Sequence, residues 1–163
     1  IETRSNGLFL QKRVGKEGKM FTVIKIKTMS HLKGASNNIT TANDHRITEI
    51  GRFFRRTKID EFPQLWNVFI GNMSFVGPRP DVSGYADRLY GSDSIILTVR
   101  PGITGPASLK YKNEESLLAE KIDPIKYNDD VIWPDKVKIN CDYIRDYRLI
   151  KDLSYIWWTF QKK

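Results

Sequence analysis

Three prolines in one stretch restrict this chain more than any other feature. The stretch is KIDEFPQLWNVFIGNMSFVGPRP, residues 58–80. Proline lacks a backbone N–H and fixes φ, so Pro63 is tolerated only in the first turn of a helix. The spacing therefore predicts a helix beginning near Asp60, carrying Leu65, Val68 and Phe69 and ending at Gly71. Pro78 and Pro80 exclude a long helix or a central strand over 74–80. Two adjacent carboxylates, Asp60 and Glu61, thus open a helix, and Arg79 follows it between two prolines.

The remaining patterns fill in a mostly helical, single-domain α+β fold with a small β-sheet and Pro/Gly-rich loops. MFTVIKI (20–26) reads as a strand, being short, β-branched and half apolar. Residues 31–42 are polar and read as a loop. Asn43 is placed to cap a helix running to about Arg56, with Ile47, Ile50 and Phe54 on one face. RPGITGP (100–106) reads as a second rigid, turn-rich loop. Helical patterns follow at 134–146 and 149–161, the last with Leu149, Leu153, Ile156, Trp157 and Phe160 along one stripe. A length of 163 residues suits one domain, here 1–163.

Charge is unevenly placed. Residues 1–58 carry 13 Lys/Arg against 4 Asp/Glu, and residues 59–163 carry 14 against 15. A front third at +9 suggests an anionic partner: nucleic acid, a membrane surface or a phosphorylated substrate. The single cysteine, Cys141, excludes an internal disulfide and a cysteine-rich metal site, and its helical context suggests a small buried hydrophobe. His31 and His45 read as surface or structural residues. No run reaches the length of a membrane span.

Taken as a site, the segment at 58–80 has the parts of phosphoryl transfer. By position alone, Asp60 is a capping carboxylate. The same position would hold it ionised, as an oxygen nucleophile or a Mg²⁺ ligand must be, and would attract phosphate. Glu61 beside it could move a proton or orient its neighbour. Arg79 on a stiff loop can grip a phosphate bidentately. Lys25 and Lys27 share one face of their strand and add positive charge. A GxxxxGK[ST] loop and a DxD pair are both absent, which excludes two common phosphate-handling designs.

At this point the chain resembles the bacterial sugar transferases, the monotopic phosphoglycosyl transferases that begin glycan assembly on a polyprenol carrier. The matching stretches are LQKRVGKEGKMF (10–21), KIKTMS (25–30), IDEFPQLWNVFIGNMSFVGPRP (59–80) and RPGITGPA (100–107), with a looser match at YIRDYRLIKDLSYI (143–156). The resemblance implies a ping-pong reaction. Asp60 would attack the β-phosphate of a UDP-sugar, release UMP and become a phosphosugar ester, and a polyprenol (undecaprenyl) phosphate would then take up the phosphosugar. It implies Asp60 and Glu61 as the catalytic dyad, with Mg²⁺ at Asp60. Arg79 and Lys25 would bind substrate phosphate, Arg100 and Lys112 would be further substrate contacts, and Asp152 would be a structural support.

The resemblance further implies a re-entrant membrane helix ahead of the LQKRVG region, outside this sequence, which opens on Ile1. It implies the cytoplasmic face of the bacterial inner membrane, with this stretch alone soluble. Asn72 stands where many members carry Asp. Lys112 stands about where some relatives place Arg. GRFFRRTK (51–58) and YIWWTFQKK (155–163) suit an anionic membrane surface, with Trp157 expected inward and Trp158 nearer the lipid. The competing readings are a nucleic-acid binder, which lacks any RRM, KH or zinc signature here, and a silent membrane-surface scaffold. Neither accounts for the dyad beside a Pro-Arg-Pro loop, so no nucleic acid is expected as a partner.

Overall fold

A computed structural model describes residues 6–30 and 44–161. Strands β1 (Leu8–Val14) and β2 (Met20–Ile26) form an antiparallel hairpin in which Leu8 pairs with Ile26 and Val14 with Met20. The expected strand over 20–26 is therefore present with its expected ends. One face of β2 supplies Phe21 and Val23 to a small core with Met73, and Val68 and Ile103 pack against it.

Helix α1 spans Glu49–Thr57. The expected start at Asn43 is overturned, and Asn43 itself lies outside the described residues, as do His31 and the loop at 31–42. Residues 44–48 are not helical: Ile47 bridges Met29, and the Thr48 hydroxyl accepts from Gly51 N at 2.9 Å as the cap. Ile50 and Phe53 on α1 are exposed, and Phe54 is half-buried.

A three-residue 3₁₀ turn, Ile59–Glu61, follows α1, and α2 (Gln64–Phe69) follows the turn. Lys58 makes the corner between α1 and the turn with φ +60°. Gly71, at φ +82°, ends the segment as expected.

Strands β3 (Ser74–Val76) and β4 (Gly102–Thr104) pair in parallel, Ser74 with Gly102 and Val76 with Thr104. The loop expected at 100–106 is thus partly a strand. Its glycines let two backbones touch. Gly77 N donates to Thr104 O at 2.9 Å and Gly102 N to Pro78 O at 2.8 Å. A Cβ on Gly102 would collide with Gly77 N.

Short helices α3 (Pro106–Lys110), α4 (Glu114–Ala119) and α5 (Pro124–Tyr127) lead into α6 (Trp133–Arg145) and α7 (Leu149–Phe160). Val137 and Cys141 of α6 build a second core on Ile96, so Cys141 is the buried hydrophobe its context suggests. His45 is exposed.

Helix α7 departs from expectation. None of its residues is fully buried, and Trp157, expected inward, is 66% exposed against 50% for Trp158. Polar links hold the helix instead. Tyr143 donates to Asp152 Oδ1 at 2.8 Å, the Thr104 and Thr159 hydroxyls meet at 2.7 Å, and Lys112 Nζ donates to Gln161 O at 2.8 Å. Its apolar stripe faces outward because the two cores are already filled from β2, β3, β4 and α6.

Candidate active site

The site is assembled from four places in the chain. The 3₁₀ turn presents Asp60 and Glu61, both 8% exposed. Strand β2 presents Lys25, and the loop after β3 presents Arg79. One oxygen receives both cations: Arg79 Nη2 lies 2.5 Å and Lys25 Nζ 3.3 Å from Glu61 Oε1. The Arg79 side chain is still 41% exposed. Asp60, Glu61, Lys25 and Arg79 are thus brought together as the sequence suggested.

The electrostatics divide the dyad. Burial opposes ionisation of Glu61, but Arg79 and Lys25 outweigh it and hold this carboxyl well below the usual range. Glu61 in turn raises Arg79. Asp60 goes the other way: burial, then the neighbouring Glu61 charge, pushes it up, against the pull of Lys25, Lys58 and Arg55. Lys25 is pushed down to about 8 by burial and by Arg79, opposed by Glu61. No helix N-terminus therefore lowers Asp60; burial and the Glu61 charge raise it instead. The turn is three residues long, the α-helix proper starts at Gln64, and no capping bond is made by Asp60. Glu61 holds the Arg79 guanidinium and the Lys25 ammonium together at one oxygen.

The other candidates lie elsewhere. Asp152 holds Tyr143 and so ties α7 to α6, a supporting place. Lys112 reaches the C-terminal end of α7. Arg100 is exposed, with its guanidinium 3.7 Å from where a Cβ on Gly71 would stand, at the opposite end of α2 from the dyad.

Sequence reasoning passed over several residues. Arg13 of β1 donates to Pro80 O at 3.3 Å and doubly to Gln11 Oε1 at 2.7 and 3.1 Å, which braces the Pro-Arg-Pro loop. Val14 N adds a bond to Asp81 O at 2.8 Å. Asp81, pushed up to about 6 by burial, faces Lys136, Arg13 and Arg79. Asn67 of α2 is buried and stitches the helix to β2, accepting from Ile24 N at 3.2 Å and donating to Thr22 O at 2.7 Å. Gln64 is 2% exposed. The signal available for these was the pairing of polar residues with the turns of a short helix, which apolar periodicity does not weigh.

Asp60 Oδ1 is buried without a hydrogen-bond partner. Among the described residues no three His, Cys, Asp or Glu side chains converge to hold a metal ion. Mg²⁺ does not need such a cage. It is commonly held by one or two carboxylates with substrate phosphates and waters, and an orphan carboxylate oxygen beside an ionised Glu fits that donor set.

The sequence that builds this site has relatives. The UDP-glucose:undecaprenyl-phosphate glucose-1-phosphate transferase of Klebsiella pneumoniae is 33% identical over 168 residues, covering 99% of this chain and 34% of that protein. The undecaprenyl-phosphate galactose phosphotransferase of Salmonella typhimurium is 33% identical over 175 residues, covering 96% of this chain and 33% of that protein. An uncharacterized sugar transferase of Bacillus subtilis, EpsL, is 32% identical over 154 residues, covering 94% of this chain and 68% of its own length. The chain thus spans about a third of the first two relatives. The dyad, the braced Pro-Arg-Pro loop and a match to the bacterial sugar transferase family model across residues 1–163 lead to one conclusion: the chain belongs to that family.

Proposed function

We propose that this chain transfers a sugar-1-phosphate from a UDP-sugar to undecaprenyl phosphate through a covalent intermediate on Asp60. The observation that carries the reading is the division of labour in the dyad. Arg79 and Lys25 both hold Glu61 at Oε1, while Asp60 Oδ1 is buried without a hydrogen-bond partner. The relatives named for UDP-glucose and undecaprenyl phosphate support the substrate class.

In the first step an Asp60 oxygen forms a bond to the β-phosphorus, the bond from that phosphorus to the bridging oxygen breaks, and UMP leaves with the electron pair. In the second, a phosphate oxygen of the acceptor attacks the same phosphorus and frees the Asp60 carboxylate. The Arg79 guanidinium and the Lys25 ammonium balance charge on the phosphoryl oxygens. Mg²⁺, held through Asp60, would neutralise diphosphate charge when bound.

The acceptor is a lipid, and α2 suits one. Its inner side carries Gln64 and Asn67, while Phe62, Leu65, Trp66, Phe69 and Ile70 are exposed on its outer side. The dyad therefore lies within about one helix diameter, roughly 10 Å, of an apolar surface. No helix among the described residues is long and apolar enough to cross a membrane. The apolar face and the +9 front third support seating on the anionic cytoplasmic leaflet of the bacterial inner membrane, where UDP-sugars are at hand.

The test is UMP release from a panel of UDP-sugars with Mg²⁺, followed by intact-mass trapping of a phosphosugar adduct on Asp60. Wild-type protein that releases UMP only when acceptor lipid is present, and never carries an adduct, would exclude the covalent route.

A further inference from the structure

Two buried side chains in the dyad segment each leave one polar atom without a partner: Asp60 Oδ1 and Gln64 Nε2. They are not independent. Phe62 (φ −55°, ψ −37°) and Pro63 (φ −61°, ψ −17°) keep the backbone helical between the 3₁₀ turn and α2. Hydrogen bonds of the i to i−3 kind run through the segment, Glu61 N to Lys58 O, Leu65 N to Phe62 O and Trp66 N to Pro63 O, so Gln64 stands one 3₁₀ turn after Glu61 and on its face. The orphan donor thus lies on the Glu61 side of the dyad, and the orphan acceptor belongs to the adjoining residue.

The neighbouring amide shows that the fold can satisfy such a group. Asn67, one turn on and 1% exposed, uses its carbonyl for Ile24 N and its amino group for Thr22 O. Gln64 is as deeply buried, yet its donor is unused. An unpaired buried N–H costs stability, so a position of this kind is explained by a ligand that completes it.

Resting on the function proposed above, we infer that Gln64 is a further substrate-contacting residue: its carboxamide donates a hydrogen bond to a non-bridging oxygen of the phosphoryl group that Asp60 receives. No proton is transferred. The N–H is buried beside the dyad, where it would meet the negative charge that gathers as the phosphorus changes partners, while Arg79 supplies positive charge from the loop after β3. A preorganised donor of this type acts on the transition state more than on the bound substrate, so its loss falls on kcat.

The experiment is Gln64→Met, which keeps the volume and removes the amide, measured for UMP release and for thermal unfolding on the same preparation. The inference expects kcat to fall about 30- to 1,000-fold, KM to stay within about threefold and Tm to hold or rise, because an unsatisfied buried group has been removed. Gln64→Glu, which replaces the donor with an acceptor, should be at least as inactive. A Gln64→Met enzyme with wild-type kcat would overturn the inference, and so would an activity loss accompanied by a lower Tm, since that marks a packing role. If the wild-type chain releases no UMP from any UDP-sugar, the proposed function falls. The Gln64 contact is then judged by calorimetry with inorganic pyrophosphate. Affinity at least about fivefold weaker in Gln64→Met supports it, and equal affinity or no binding to wild type overturns it.

Discussion

Asp60 and Glu61 are neighbours of nearly the same chemistry that the fold treats oppositely. Glu61 sits against two cations, and Asp60 is buried with an unpartnered oxygen. A carboxyl whose folded pKa is raised binds more protons in the native state than in the unfolded one. Its contribution to stability therefore falls as pH rises through the folded value. Asp60→Asn should for that reason raise Tm at neutral pH, by about 2–4 °C for each kcal/mol recovered, while lowering turnover at least about a thousandfold. Differential scanning fluorimetry beside a UMP-release assay checks both, and a lower Tm would contradict the electrostatic account. The pH–rate profile should be bell-shaped. Its acid limb follows protonation of Asp60, which burial and the Glu61 charge shift upward, and its basic limb, near pH 8, follows loss of the Lys25 proton. On stability Lys25 has the opposite sign from its effect on activity. Its folded pKa is depressed, so the native state binds fewer protons than the unfolded chain from about 8 to 10.5, and stability from this group rises over that window. Lys25→Arg should move the basic limb upward, and an unmoved limb would assign it to another group. Arg79→Lys keeps the charge without the fork and should cost about 10- to 100-fold in kcat/KM. Wild-type kcat/KM would reduce Arg79 to a generic cation.

Among the elements, the parallel pair β3–β4 decides where Arg79 can be. Gly77 and Gly102 are in such close backbone contact that neither has room for a side chain. Gly102→Ala should accordingly destabilise the fold by about 1–3 kcal/mol and cut kcat more than its lower folded fraction explains, since the loop carrying Arg79 shifts with the strand. Urea melts together with kinetics on the folded fraction read this out, and activity that tracks folded fraction alone would mean the loop is located by Arg13 and Val14 instead. Helix α2 shows the same subordination of local pattern to packing. Its two most deeply buried side chains are polar, Gln64 and Asn67, and Asn67 bonds the backbone of β2. Phe69, 80% exposed, stacks on Trp66 at the surface.

Across the whole molecule, the apolar sides of α2 and α7 and the basic front third are the features a membrane surface would read. Binding to anionic vesicles should be measurable by flotation and should weaken as salt is raised, because surface charge is screened over about 10 Å at 0.1 M. Trp157→Ser and Phe69→Ser, both at exposed positions, should each weaken vesicle binding severalfold and leave Tm within about 1 °C. Equal binding to neutral and anionic vesicles at every salt concentration would defeat the electrostatic part, and an unchanged partition of both variants would defeat the apolar part.

What the sequence determined by itself is the class of chemistry and the punctuation of the chain. Prolines and glycines act through local backbone sterics, so the end of the dyad segment at Gly71 and the strand at 20–26 were legible without a fold, whereas the helix expected from Asp60 starts only at Gln64. So was the gathering of Asp60, Glu61, Lys25 and Arg79, through motifs long enough to name a family. Only the tertiary structure decided which carboxylate is free, because a pKa depends on burial and on charges brought from β2 and the loop after β3. It also decided which side of a helix is inside. The stripe Leu149, Leu153, Ile156, Trp157 and Phe160 has the period of a core face, yet only Ile156 of the five is half-buried, because period gives only the existence of a face. What that face meets is set by how much core the rest of the chain has already filled, and here Phe21, Val23, Met73, Ile96, Val137 and Cys141 fill it first.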